Sequence, residues 1–384
     1  MRSKILTIGL AIAFPLMAGA QSSTNVTLYG TIDTGVEYVN NIADGTGGAN
    51  SSVHFNTLTS SVPSNWGLRG TEDLGNGLSA IFTLESGFTP GTGVQGQGGR
   101  LFGRQAWAGL KGDWGQIAFG RQYNMLFWGT LGANLLGPNS QGLGGLDNYI
   151  PNARMDNAIT YRGSFDGFKL GAAWARGRDT VSTGGPAARG CGVDYTDSSA
   201  CQAYSFMMGY DSANWGVASA YDVIQGGDTS WPGSGLSNPD HKDIRWTING
   251  YVKFDALKIG ALYLNRKNEG GILSNPVPGA GSRTLGNRSD LWSLSATYQF
   301  TPAFALDGAV NHLNYKNASD SSKTWQYVAR VRYALSKRTT TYLSTAYVRN
   351  KGDANVSASS GSQGASPDFG ASQTAVMVGL RHSF

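Results

Sequence analysis

The segment KTWQYVARVRYALS alternates: Trp325, Tyr327, Ala329, Val331, Tyr333 and Leu335 fall on one parity, Gln326, Arg330, Arg332 and Ser336 on the other. DIRWTINGYVKF sets Ile244, Trp246, Ile248, Val252 and Phe254 against Asp243, Arg245, Thr247, Asn249 and Lys253. DLWSLSATYQF repeats the pattern, with Trp292, Leu294, Ala296, Tyr298 and Phe300 against Ser293, Ser295, Thr297 and Gln299. Successive side chains of a strand point to opposite faces, so this period predicts strands with one apolar and one wet face.

A two-layer sandwich would alternate as well. Three features favour a closed barrel in a membrane. The segments run to about ten residues, enough for a tilted span. Aromatics gather near segment ends on the apolar face, as at Trp325, Tyr333, Tyr298, Phe300, Phe254 and Phe384. That is the placement of interfacial girdles. Connector lengths also alternate. Short ones fall near Asp73, Lys111, Ser164, Asp211, Phe254, Thr301 and Ser336. Long ones lie near 41–54, 89–99, 123–153, 178–201, 226–242, 269–287, 316–323 and 352–371. Seven short and eight long connections give sixteen strands. The expected fold is all-β: a 16-stranded antiparallel transmembrane β-barrel, tight turns on one side and long loops on the other.

The two ends of the chain support closure. Phe384, His382, Leu380, Val378 and Val376 share one parity up to the last residue. NVTLYGTIDTGVEYV, with Val26, Leu28 and Ile32 opposite to Thr27, Thr31, Asp33 and Glu37, is a suitable partner strand. Pairing the two removes sheet edges that would be costly in hydrocarbon.

Ahead of that strand, Arg2 and Lys4 precede an apolar run from Ile5 to Met17 and the small residues Ala18-Gly19-Ala20. This reads as a secretory signal peptide over 1–20, leaving 21–384 as one barrel domain. Its removal lowers the formal charge from +5 to +3, 28 cations against 25 acids. So mild an excess, with no Lys/Arg-rich block, gives no case for nucleic acid as a partner. Glycine makes up 55 of 384 residues and charged residues only 14%, against about 25% in ordinary soluble domains. Such a surface suits contact with something other than bulk water. Secretion implies an oxidising compartment, so Cys191 and Cys201 are expected to form a disulfide; two unpaired loop thiols are the alternative. No metal-ligand set surrounds them, and neither a metal nor a cofactor is expected.

The blocks VTLYGTIDTGVEY, WGLRGTEDLGNGLSAIFTLESGF, GRQAWAGLKGDWGQIAFGRQY and the closing VGLRHSF resemble the general porin family of Gram-negative outer membranes. The resemblance spans essentially all of the chain after residue 20. It implies an outer-membrane homotrimer that passively admits small hydrophilic solutes, with lipids and lipopolysaccharide around it. It implies a third external loop folded into the barrel, and a terminal aromatic, Phe384, read by the outer-membrane assembly machinery. The loop at 89–99 occupies the position where family members latch a neighbouring subunit.

Strand parity then gives candidates for the pore lining. With Trp66 and Leu68 outward, Asn65 and Arg69 face in; with Trp107 outward, Arg100 and Arg104 face in. With Ile159 and Tyr161 outward, Arg154, Asp156 and Arg162 face in. Arg104 and Arg154 match wall arginines of the family in their local motifs, whereas Asn65 stands where a further arginine is common. Arg121 shares parity with Ile117 and Phe119 and reads as an intersubunit or buried pairing residue. Asp33, Glu37 and Glu85 point inward by parity, and Asp147 is the only carboxylate of the 123–153 stretch. A basic wall with few opposing acids attracts anions. The expectation is therefore a diffusion channel with anion preference; a selective channel for an organic anion or a sugar is the alternative. Tyr29 and Tyr251 are isolated on the wet face, which weakens the sugar reading. None of His54, His241, His312 and His382 sits in a nucleophile motif, so no enzyme is expected.

Overall fold

The computed structural model describes residues 25–384 apart from 56–62, 147, 149–153, 179–190, 192–196, 228–235, 317–320 and 360–364. The signal peptide assigned to 1–20 lies outside the described residues. One sheet contains β1 (Asn25–Ala43), β2 (Ala49–Phe55), β3 (Asn65–Gly75), β4 (Leu78–Gly87), β5 (Gln105–Gly112), β6 (Gly115–Tyr123), β7 (Arg154–Phe165) and β8 (Phe168–Arg176). It continues through β9 (Gln202–Asp211), β10 (Trp215–Gln225), β11 (Lys242–Phe254), β12 (Leu257–Asn268) and β13 (Arg288–Gln299). β14 (Phe304–Lys316), β15 (Lys323–Ala334), β16 (Thr339–Lys351) and β17 (Ser372–Ser383) complete it. The pairings are antiparallel, and β17 returns to β1 with Thr31↔Ser383 through Val39↔Ala375, so the sheet closes on itself.

Seventeen strands make sixteen staves. β1 pairs with β3 over Asn25–Thr31 and with β2 over Val36–Ala43, so β2 and β3 are two halves of one stave. At the break, the Ser64 hydroxyl accepts from Asp33 N and donates to Asp33 O, both at 2.9 Å, in place of a ladder partner. The stretch 41–54, expected as a long connection, is therefore mostly strand. Its hairpin turns at Asp44–Gly48, where Asp44 Oδ1 accepts from Thr46 N at 2.7 Å and Gly48 N at 3.0 Å. The Thr46 backbone N–H, ahead of its hydroxyl, holds the Asp44 carboxyl below the usual carboxylate range.

The outer face carries the apolar parity: Leu28, Ile248, Trp292 and Val378 are all more than half exposed. Near the long-loop rim, rings of adjacent strands abut, Tyr263 on Trp292 at 4.4 Å and His312 on Trp325 at 4.1 Å. Near the short-turn rim, Phe300 meets Tyr298 at 4.6 Å and Phe304 at 5.2 Å. These two belts bracket the apolar band as girdles do in a bilayer. No helix among the described residues is long and apolar enough to cross a membrane.

Cys191 and Cys201 are disulfide-bonded, bearing out the oxidised reading. The interior is less purely wet than alternation suggests. Leu126, Leu136, Leu143 and Leu146 of the 124–153 segment pack against Val39, Leu264, Leu291, Leu313 and Val328 of the wall. Val356, Ala358 and Ala365 from the last long loop join that cluster, so two loops, and not the third alone, enter the barrel.

Candidate functional site

The 124–153 segment is fastened round the inner wall by bonds to one strand after another. Asn124 Oδ1 caps Phe127 N at 2.9 Å, starting a short helix, Met125–Thr130. Met125 N donates to Ser205 Oγ on β9, and Ser295 Oγ on β13 donates to Ala133 O at 3.1 Å. Gly260 lets the backbone come this close, since a Cβ there would collide with Ala133 O. Arg330 on β15 donates to Leu136 O at 3.2 Å, and Gln141 donates to Glu37 Oε1 on β1 at 2.6 Å. Asn148 then returns to the wall. Its amide donates to Leu264 O at 2.7 Å, its Oδ1 accepts from Ser289 and its backbone O accepts from Arg245 Nε. The loop covers the wall from β9 to β15 and reaches β1 at Glu37, and it touches the arc from β3 to β7 only where Phe127 and Trp128 meet Tyr123 and Arg162.

That arc carries the arginines. Arg104 Nε donates to Glu85 Oε1 at 2.5 Å, and its NH2 to the Tyr123 hydroxyl at 2.9 Å. The same hydroxyl accepts from Arg154 NH2 at 3.1 Å, and the Arg154 guanidinium lies 4.8 Å from the Tyr123 ring centroid. Tyr123 is itself stacked on Phe127 at 3.9 Å, so the loop helix helps orient both arginines. Tyr29 donates to the other oxygen of Glu85 at 2.9 Å, and Arg69 lies over the Tyr29 ring at 5.2 Å. Arg162 sits 3.8 Å above the Trp128 ring. Across this group, Arg69, Arg104, Arg154 and Arg162 face one acid, Glu85; four minus one leaves +3.

Other expected residues are held elsewhere. Arg100 donates to Asp156 at 3.1 Å, and Asp156 also takes Arg121, whose Nε donates to Gly103 O. Arg121 is thus a buried pairing residue, and Arg100 shares its carboxylate. Asp33 accepts from the Tyr342 hydroxyl at 2.5 Å, and Glu37 is clamped between Gln141 and Ser359. Both carboxylates are fully buried. Asp147 lies outside the described residues.

Two parity arguments need correction. Trp107 pairs with Thr83, which pairs with Arg69, so all three share the inner face; Ala108 and Leu110 are the outward residues. Arg104 reaches Glu85 from just before β5, where strand alternation has not begun. In β7 the register slips between Gly120 and Gln122 of its partner, and Asn157 has φ 49°, so parity counted back from Tyr161 does not carry to Arg154.

Sequence reasoning puts Arg330, Arg332, Asp243 and Arg245 on wet faces without making them candidates. Asp307 holds Arg330 at 2.8 Å and Arg332 at 2.6 Å beside the loop tip, where Arg381 also lines a cavity of about 240 Å³. Asp243 holds Arg245 and Arg266, buried behind Asn148. Arg330 and Arg332 on β15 and Arg381 on β17, all of inward parity, are the signal that could have found the first group.

The chain matches the family described as Gram-negative porin over residues 7–353. It is 29% identical over 409 residues to an outer membrane porin protein of Bordetella pertussis, covering 97% of this chain and 99% of that protein. It is likewise 29% identical to outer membrane porin protein 32 of Delftia acidovorans, over 98% and 99% of the two chains. Among solved structures, the anion-selective porin from Comamonas acidovorans superposes with a TM-score of 0.71 at 22% identity, over 94% of this chain and 100% of that one. OmpT of Vibrio cholerae in its trimer form gives a TM-score of 0.61 at 13% identity, over 94% and 99%.

Proposed function

Because the chain belongs to the Gram-negative porin family, an outer-membrane family of channels, we propose that its lumen passes small hydrophilic solutes with a preference for anions. The observation that carries the preference is the charge balance of the arc from β3 to β7, four arginines against Glu85. Each net positive charge about 8 Å from a passing anion contributes about 0.5 kcal/mol in a water-filled lumen. Three contribute about 1.5 kcal/mol, roughly a tenfold enrichment of anions over bulk. Asp156 does not offset this, because Arg100 and Arg121 both pair with it, and Asp33 and Glu37 lie on β1, outside this arc. Arg104 and Arg154 line the constriction, with Tyr123 as the hinge between wall and loop; Arg69 and Arg162 extend the row, and Arg100 braces it through Asp156.

The same reading makes the chain a passive channel rather than an enzyme. It assembles as a homotrimer through its apolar outer face, surrounded by lipid and lipopolysaccharide. The strand ending at Phe384 presents the signal taken by the assembly machinery.

Planar-bilayer recording tests the preference by ion substitution. Replacing chloride by a bulky anion should lower the conductance strongly, whereas replacing potassium by a bulky cation should change it little. The reverse ordering would overturn the reading.

A further inference from the structure

The inward orientation of Trp107 creates a feature that alternation hides. Thr83 is the direct partner of Arg69 on one side and of Trp107 on the other. Arg69 and Trp107 therefore stand at one level on the inner face, two strands and about 9–10 Å apart, with only a threonine side chain between them. Below this level Ile81 pairs with Gly109, which carries no side chain, and Lys111 follows on the same face as Trp107. The result is a recess of about 610 Å³ open to the lumen, walled by indole and isoleucine on one part and by Arg69 and Lys111 on another. Asp113 is the one carboxylate among its lining residues. No carboxylate lies within ion-pair distance of Arg69 or Lys111 among the described residues.

We infer that this recess is a binding step for aromatic carboxylates. A ring stacked on the indole sits about 4.5–5 Å from it, which leaves a carboxylate on that ring facing Arg69 across the remaining gap. The guanidinium supplies paired donors for the carboxylate. The volume falls within the range of about 300–1,000 Å³ typical of small-molecule sites. A small aliphatic acid gains the charge contact and lacks the ring contact, so the recess discriminates by the apolar part of the solute. This inference rests on the anion-preferring channel proposed above.

The test is chloride current through the full-length protein in a planar bilayer, with benzoate or acetate added at equal concentration. Benzoate is expected to reduce the current saturably and several-fold more strongly than acetate. Trp107→Ala should remove the difference while leaving the zero-current potential unchanged, and Arg69→Gln should weaken block by both acids. Trp107→Leu, which keeps an apolar side chain, carries the same test should the alanine variant fail to assemble. Equal block by the two acids in an anion-preferring wild-type channel, or discrimination that survives loss of the indole, overturns this inference alone. Cation preference of the wild type instead overturns the reading on which it rests.

Discussion

Gly30 and Phe384 exchange both backbone hydrogen bonds, Gly30 N to Phe384 O at 3.2 Å and Phe384 N to Gly30 O at 3.0 Å. The Phe384 ring lies over the bare α-carbon of Gly30, where a Cβ would collide with Cζ of the ring. The last residue of the chain thus completes the seam. Deleting Phe384 removes both bonds and leaves Gly30 unpaired at the bilayer edge, where an unsatisfied backbone group costs several kcal/mol. Gly30→Val should displace the ring and weaken the same seam. Cold-SDS gel mobility of refolded protein checks both: loss of the fast-migrating barrel form is expected for the deletion, and a reduced fraction for Gly30→Val.

Glu85 is the acid that tempers the arginine row, since it binds Arg104 and Tyr29 together. Glu85→Gln removes one negative charge, and Arg104→Gln one positive. At about 0.5 kcal/mol per charge, the anion-to-cation permeability ratio should rise roughly twofold or more for the first and fall comparably for the second. Zero-current potentials of the two variants under a potassium chloride gradient measure this directly.

Asn148 makes three contacts that return the inner loop to β11–β13. Two of them, from the amide to Leu264 O and from Ser289 to Oδ1, are side-chain bonds worth about 1 kcal/mol each; Asn148→Ala removes these and keeps the backbone O that accepts from Arg245. The expected outcome is an intact barrel with greater open-channel noise, seen in single-channel records as brief conductance changes. Noise at the wild-type level would show that the remaining tethers suffice.

Cys191 and Cys201 lie on the long-loop side, between β8 and β9, ten residues apart. Closing so short a loop restrains the unfolded chain by about 3 kcal/mol at most in the entropic account. The bond ties one loop to itself, so reduction should leave conductance and gel mobility unchanged. Proteolysis within 179–200 is expected to quicken, and mass spectrometry after limited digestion reads it.

Strands are legible because alternation repeats wherever one face meets lipid and the other meets water. Trp325, Trp292 and Trp246 follow the rule, and the seam can be read from two matched terminal segments. Alternation misplaces residues where the ladder loses its period. The β2–β3 break, the slipped register beside Asn157 and the loop entry before Gln105 each shift parity with no change in composition. Trp107 reads as outward because tryptophan favours the interface, but the smaller Ala108 and Leu110 hold that face. Entry of the last loop into the barrel is hidden for another reason. Its residues 354–359 are small or polar, and their burial depends on Glu37 and Gln373, contacts that no local pattern announces.

In the proposed channel the positive balance of the arc from β3 to β7 sets the ion preference. The zero-current potential of the wild-type channel under a roughly tenfold potassium chloride gradient tests it most directly. The sign should correspond to chloride passing more readily than potassium, with the preference shrinking as total salt rises toward about 1 M, where the Debye length falls to about 3 Å. A potential of the opposite sign, or one indifferent to salt, would mean that these arginines do not set the preference.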